Sequence, residues 1–250
     1  MRTLRVPRCI SVTIEQVQLT ESEWLNVFQF FRDLKGQREG VLKLRKQIIQ
    51  ADPCLLTQTA EWLEQYRHNP ATSNPLPVSY EYQLDNGPTG YRECFSSSCA
   101  MLAKYYGKVQ SDKEYIEIRE RFGDSTSSEA QLRALRHLGL NANFYTSGKP
   151  INLLSQLQTG RPVAVGWLHK GHVSAPSGGG HWTVLVGYEE IENGLPTTWI
   201  HHDPNGEADL VNGGYVKNGP TDGRAVKYSA KNWIPRWMPD GPGWYLTCSS

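Results

Sequence analysis

GYRECFSSSCAMLAKYYG, residues 90–107, carries two cysteines five residues apart with three serines between them and an apolar run behind. Held as a helix, it lines up Phe95, Cys99, Leu102, Ala103 and Tyr106 on one apolar stripe, the spacing of a core-facing helix, and Gly107 ends it. On that stripe Cys99 faces hydrophobic neighbours, where a thiol behaves as a small inert apolar group. Cys94 stands at the mouth of the helix instead, where unpaired N–H groups and the positive end of the dipole favour a thiolate. A cysteine at a helix start is also commonly a plain structural residue. The segment therefore makes Cys94 a candidate nucleophile that still needs a base and an orienting group.

The rest of the chain bounds what such a nucleophile could serve. With 250 residues there is room for one large domain, or a medium domain and a small one. A formal charge of +1 argues against an electrostatic nucleic-acid binder. Eight Trp, twelve Tyr, 23 Gly and 15 Pro suit a loop-rich globular protein, and carbohydrate or cell-wall contact is compatible with them. Cys9, Cys54, Cys94, Cys99 and Cys248 are odd in number and show neither CxxC pairs nor a disulfide framework, which fits synthesis in a reducing cytoplasm. MRTLRVPRCISVTIEQ lacks the apolar core of a secretory signal, and no stretch approaches a membrane span. An extracytoplasmic target would have to be reached by another route.

Three helices are expected near the start: about 21–34 behind the Thr20/Glu23 capping box, one through QREGVLKLRKQIIQ, and one after Asp52 and Pro53. They would form a small helical accessory domain over residues 1–70, with its aromatics as its own core. HNPATSNPLPVS, residues 68–79, marks a linker, placed at 71–79, and leaves residues 80–250 as a second domain. There, helices are expected near 112–122 and after Ser128, with a capping box closed by Gln131. RPVAVGWL, HWTVLVGYEE and TTWIHHD follow as strands. Helices followed by strands predict an α+β domain.

His181 opens the second of these strands after Gly178, Gly179 and Gly180, a good place for a base. Asp203 ends the next one, and antiparallel neighbours would bring its carboxylate to the imidazole. The chemistry needs that arrangement because the imidazole takes the thiol proton while a carboxylate or amide holds the ring and its charge. Read singly, His181 is equally a satisfied strand-end histidine, and DPNG a plain turn.

Taken together these segments resemble the papain-like cysteine peptidases of the bacteriocin-processing type, in the branch that includes phage and bacterial wall hydrolases. The resemblance covers about residues 80–250 and rests on QLDN at 83–86, CFSSSCAM at 94–101, GHWTVLVGY at 180–188 and HHDPNGE at 201–207, in the family's order. It implies a papain-like domain, a helical lobe plus an antiparallel sheet, with Cys94, His181 and Asp203 as the triad and Gln83 as oxyanion donor. Tyr91 and Asn86 are the other candidates for that donor. Two departures stand out: Phe95 follows the cysteine where the family usually has Gly, and Gln83 lies eleven residues upstream where six is common. The resemblance further implies no cofactor or metal and a peptidoglycan or peptide substrate: an endolysin-like hydrolase made in the cytoplasm and released through a holin pore. A leader-processing protease or a transglutaminase-type acyl transferase would share the triad.

Two other classes compete. A zinc amidase could draw on His181, His201, His202 and Asp203, although adjacent strand histidines point to opposite faces and HExxH-like spacing is missing. A non-catalytic wall-binding or structural protein is the other. The Gly-rich loop GWLHKGHVSAPSGGGHW, with His169, Lys170 and His172, reads either as a lid or as a plain hairpin loop. NWIPRWMPDGPGWY reads as a tail pinned over the sheet by Trp233, Trp237 and Trp244. Oligomeric state is left open.

Overall fold

In the computed structural model, which describes residues 74–250, the cysteine-bearing stretch forms helix α1, Cys94–Tyr105. Every residue from Phe95 to Ala103 is buried, so the helix is enclosed rather than amphipathic. Two of its serines are satisfied from neighbouring helices: the Gln131 amide donates to Ser96 Oγ at 3.0 Å, and Ser97 Oγ donates to Asp112 at 2.9 Å. Gly107, at φ +69°, takes the left-handed turn that ends α1 and donates its N–H to Lys104 O.

Helices α2, Asp112–Glu120, and α3, Ser128–His137, complete the lobe and are capped by Ser111 and Ser127. The α3 cap differs from the expected box. Ser127 is the cap, and Gln131 turns inward, where its Oε1 accepts from Tyr115 and its Nε2 donates to Ser125 O and Ser96. A buried amide satisfied on both sides binds three elements together, which a terminal cap could not do.

The sheet has six strands in the order β1-β8-β2-β3-β4-β7, every neighbour antiparallel. They are β1, Asn141–Gly148; β2, Val163–Trp167; β3, His181–Glu192; β4, Leu195–His202; β7, Val226–Ser229; and β8, Gly243–Ser249. Strands β5, Glu207–Ala208, and β6, Tyr215–Lys217, form a separate ribbon. Helix α4, Pro150–Gln158, joins β1 to β2, and α5, Ala230–Trp237, joins β7 to β8. Phe95 of α1 packs on Trp182, whereas Trp233 of α5 packs on His201, the partner of Leu185. Side chains alternate along β3, so α1 and α5 cover opposite faces. This explains the near-continuous apolar runs of β2 and β3. The result is the expected α+β fold: a helical lobe against an antiparallel sheet.

The C-terminal segment differs from the sequence reading. It is not a tail across the sheet: Trp233 and Trp237 are buried on α5, and β8 inserts between β1 and β2. Trp244 is 54% exposed, and its ring meets Phe144 of the neighbouring β1 edge-on at 6.1 Å rather than lying over the sheet.

The three expected helices of residues 1–70 lie outside the described residues, as does the first part of the linker. Residues 74–79 are described and pack as a strap on the sheet. Leu76 and Val78 are buried, and Leu76 donates its N–H to Val186 O, at the register shift between Leu185 and Gly187. Asn74 pairs through its side chain with both backbone groups of Tyr188. The strap continues to Gln83, whose N–H donates to Pro204 O at 2.9 Å.

Candidate active site

Register does most of the assembly. Val184 lies opposite His202, which sets Asp203 just beyond the paired end of β4, on the same face as Thr183 and His181. There His181 Nε2 donates to Asp203 Oδ1 at 2.7 Å, with His181 4% and Asp203 0% exposed. The carboxylate is fully engaged. Oδ1 also accepts the N–H of Asn205 at 3.0 Å, and Oδ2 accepts the hydroxyl of Tyr228 at 3.0 Å. Tyr80, on the strap, donates to the backbone carbonyl of Asp203.

Cys94 opens α1 and is half-buried, and its thiol stands close enough to the His181 ring to favour the charged imidazolium. With Nε2 held by Asp203, Nδ1 is the nitrogen left for the sulfur. Burial is the largest influence on His181 and pushes the imidazole down. The charge and hydrogen bond of Asp203, followed by the Cys94 thiol, outweigh burial and leave His181 pushed up to about 10. The ring therefore stays protonated across the neutral range, as a thiolate–imidazolium pair requires.

Gln83, on the 3-10 turn Gln83–Asp85, is buried and anchored before Cys94. Its Nε2 donates to Gly90 O at 3.0 Å, which engages one of two N–H groups, while Oε1 is buried without a partner. Asn86 and Tyr91 fare differently. The Asn86 amide donates to Asp112 and to Gln83 O, and Tyr91 is 73% exposed. The residue before the cysteine is held firmly: Glu93 makes a buried pair with Arg119 at 2.9 Å.

Aromatic edges surround the imidazole. Trp167 sits edge-on to it at 5.4 Å and Tyr215 at 5.7 Å, while His169 lies at 5.4 Å. Burial, with the nearby His181 next in size, pulls His169 down to about 4, so this second histidine is neutral where the first is charged. The loop that bears it is braced. Gly214 donates to His169 O, Val173 donates to Val211 O, and Lys170 and Ser177 exchange backbone hydrogen bonds. The buried guanidinium of Arg236 donates to the carbonyls of Leu168, Lys170, Gly171, Leu210 and Val211, tying this loop to the turn before β6. It forms a wall of the site held from behind.

The neighbouring histidines are engaged elsewhere. His201 Nδ1 meets Thr183 Oγ1 at 2.9 Å, and burial holds that ring well below the ordinary value. His202 is hydrogen-bonded through Nε2 to Val78 O and through Nδ1 to the Ala225 N–H. They point to opposite faces, as adjacent strand residues must.

Sequence reading missed Tyr228, Asn205 and Tyr80 around Asp203. Asn205 was visible in DPNG as a turn residue, whereas nothing local marks Tyr228 or Tyr80, which reach Asp203 only through sheet packing and the strap.

A thiol beside an imidazole whose Nε2 is held by a carboxylate is the working arrangement of a papain-like cysteine peptidase. A family model described as the Peptidase_C39 like family matches residues 75–219, and the chain belongs to that family. Solved structures similar to it include the peptidase domain of Streptococcus ComA, a bifunctional ABC transporter involved in quorum sensing. That pair is 16% identical with a TM-score of 0.45, covering 69% of this chain and 98% of that one. A double-glycine-motif protease from an AMS/PCAT transporter, in complex with its leader peptide, is 19% identical with a TM-score of 0.44, covering 71% and 94%. A C39-like peptidase from Bacillus anthracis is 15% identical with a TM-score of 0.47, covering 71% and 98%. No curated protein matches the chain. Among the described residues, no helix is long and apolar enough to cross a membrane.

Proposed function

We propose that the protein hydrolyses peptide bonds with Cys94 as nucleophile, His181 as the base that becomes the acid, and Asp203 as the group that orients the ring. The thiolate attacks the scissile carbonyl carbon, and the imidazolium then gives its proton to the leaving amine as the C–N bond breaks. Water, deprotonated by the now neutral imidazole, attacks the thioester and releases the acid and the thiolate. The backbone N–H of Cys94 and the remaining N–H of Gln83 Nε2 are the oxyanion donors in this reading; losing one such donor typically costs about 3 kcal/mol of barrier. The observation that carries it is His181 set between the Cys94 thiol and the Asp203 carboxylate.

For the substrate, the family match favours a polypeptide, of the kind a leader-processing protease cuts, over the peptides of the cell wall. Residues 1–70 would then be a separate accessory domain that positions substrate or enzyme. The deciding experiment incubates the full chain with a denatured proteome digest containing Gly-Gly peptides and, separately, with purified peptidoglycan, and identifies new termini by mass spectrometry against Cys94→Ala. New termini in polypeptides alone support the reading. Termini in peptidoglycan alone return the wall-hydrolase alternative, and cleavage that persists in Cys94→Ala removes the nucleophile.

A further inference from the structure

The two residues at the heart of the proposed reaction are each followed by an aromatic residue, and those two aromatics lie face to face. Phe95 and Trp182 stack with centroids 3.7 Å apart and planes 6° from parallel, at 2% and 9% exposure. This is a tight parallel contact, closer than the 4.5–7 Å at which aromatic pairs usually settle. The indole also covers Gly166, its partner across β2 and β3: a Cβ there would fall 2.8 Å from indole Cε2 and Cζ2. Phe144, on β1, meets the same indole at 5.9 Å. The stack thus runs from the backbone of β2 through the Trp182 indole to the first turn of α1.

We propose that Phe95, Trp182 and Gly166 are positioning residues, a spacer whose thickness sets how far the Cys94 sulfur lies from the His181 ring. The proposal rests on the reading of Cys94 as nucleophile and His181 as its base. Cys94 and His181 sit on different elements, and their spacing follows whatever holds the start of α1 against the start of β3. Phe95 and Trp182 are each one peptide bond from the reacting residue, so their ring contact is the shortest route between the two that does not pass through the reacting atoms. A residue without a ring after the cysteine could form no such contact. With Phe95 in its place the helix is held off the sheet by an aromatic ring, and Gly166 supplies the room that the indole takes up.

A core role and a positioning role make different demands on one measurement, the alkylation of Cys94 by iodoacetamide as a function of pH, followed on the Cys94 peptide by mass spectrometry. The titratable groups facing the His181 ring are Asp203 beyond β4, Cys94 on α1, His169 on the loop after β2 and Tyr215 on β6. None of them is altered by the variants. His181→Gln defines the profile of an unpaired thiol, and intact full-length protein is used throughout, with circular dichroism and melting temperature recorded for each variant.

Thinning the stack with Trp182→Leu or Phe95→Leu should slow alkylation at about pH 6 by ~10- to 100-fold, toward the His181→Gln rate, the size of effect that a misplacement of about 1 Å produces. The rate at about pH 9, where any thiol ionises, should hold. Trp182→Phe, which keeps an aromatic plane, should recover most of the acid reactivity. Gly166→Ala, which thickens the stack instead, should also depress it. Folded variants that melt earlier but alkylate in acid like the parent would overturn the spacer and leave the nucleophile intact. A parent profile identical to that of His181→Gln would remove the thiolate–imidazolium pair, and the spacer with it.

Discussion

Replacing Asp203 with Asn tests the electrostatics of the site while keeping its shape. The amide oxygen still accepts His181 Nε2–H, as in sites where an amide fills this place, but the negative charge is gone. Burial, the largest influence on His181, already pushes the imidazole down and is opposed chiefly by that charge. Without it the ring should fall from about 10 to its ordinary 6.5 or lower. A fall of that size corresponds to about 5 kcal/mol lost by the imidazolium relative to the neutral ring. The sign for stability follows. A folded-state value raised above the unfolded one contributes stability that is present below about 6.5 and fades as pH rises through about 10. Asp203→Asn should therefore be most destabilised at neutral and acid pH and approach the parent above about pH 10. The assay is the ring titration of 15N-histidine-labelled protein, with the His181 resonance identified by its loss in His181→Gln, alongside the alkaline limb of peptide turnover. A His181 midpoint still near 10 in a folded Asp203→Asn would refute the claim that the carboxylate charge holds the imidazolium.

Three further outcomes follow from named contacts. Arg119→Met leaves the Glu93 carboxylate buried without its partner and should cost about 3–5 kcal/mol in urea unfolding, whereas Arg92→Met, which removes an exposed pair with Asp124, should cost under about 1 kcal/mol. Cys94→Ala should abolish hydrolysis with little change in melting temperature, while Cys99→Ser, which buries a hydroxyl at 0% exposure, should lower stability by about 1–3 kcal/mol and leave cleavage in place. A chain beginning at Thr72 should fold and alkylate like the parent, whereas one beginning at Glu81 loses the buried Leu76 and Val78 and should be about 3–6 kcal/mol less stable by denaturant melting.

The parts of the fold legible in the sequence were those whose burial is continuous or periodic. The run from His181 to Val186 is buried throughout and mostly apolar because helices cover both faces of the sheet there, and α1 announced itself by its stripe. Strand β1 did not, because NANFYTSG has one face turned largely to solvent and little apolar alternation. Strand β8 was hidden behind the prolines and glycines of residues 235–243, which are also what a loose tail would show. That Cys94, His181 and Asp203 could lie near one another was readable because each stands at the end of an element, where local sequence gives position. Tyr228 was not readable, since its hydroxyl reaches Asp203 only after β4 and β7 have paired Trp199 with it. The Arg236 clamp was equally silent: all its acceptors are backbone carbonyls, which leave no trace in side-chain pattern.

The insertion of β8 between β1 and β2 bears on how the chain comes to be folded at all. Asn141 finds Ser249, and Val163 finds Thr247, across a long span of intervening chain. A nascent chain still lacking residues 243–249 holds β1 and β2 with open edges facing a gap, the most adhesive state a sheet can present. Completion of the sheet waits on β8, which is synthesised after every other strand among the described residues. A message broken before that codon would yield an aggregating fragment, although every residue assigned to the reaction had already been made.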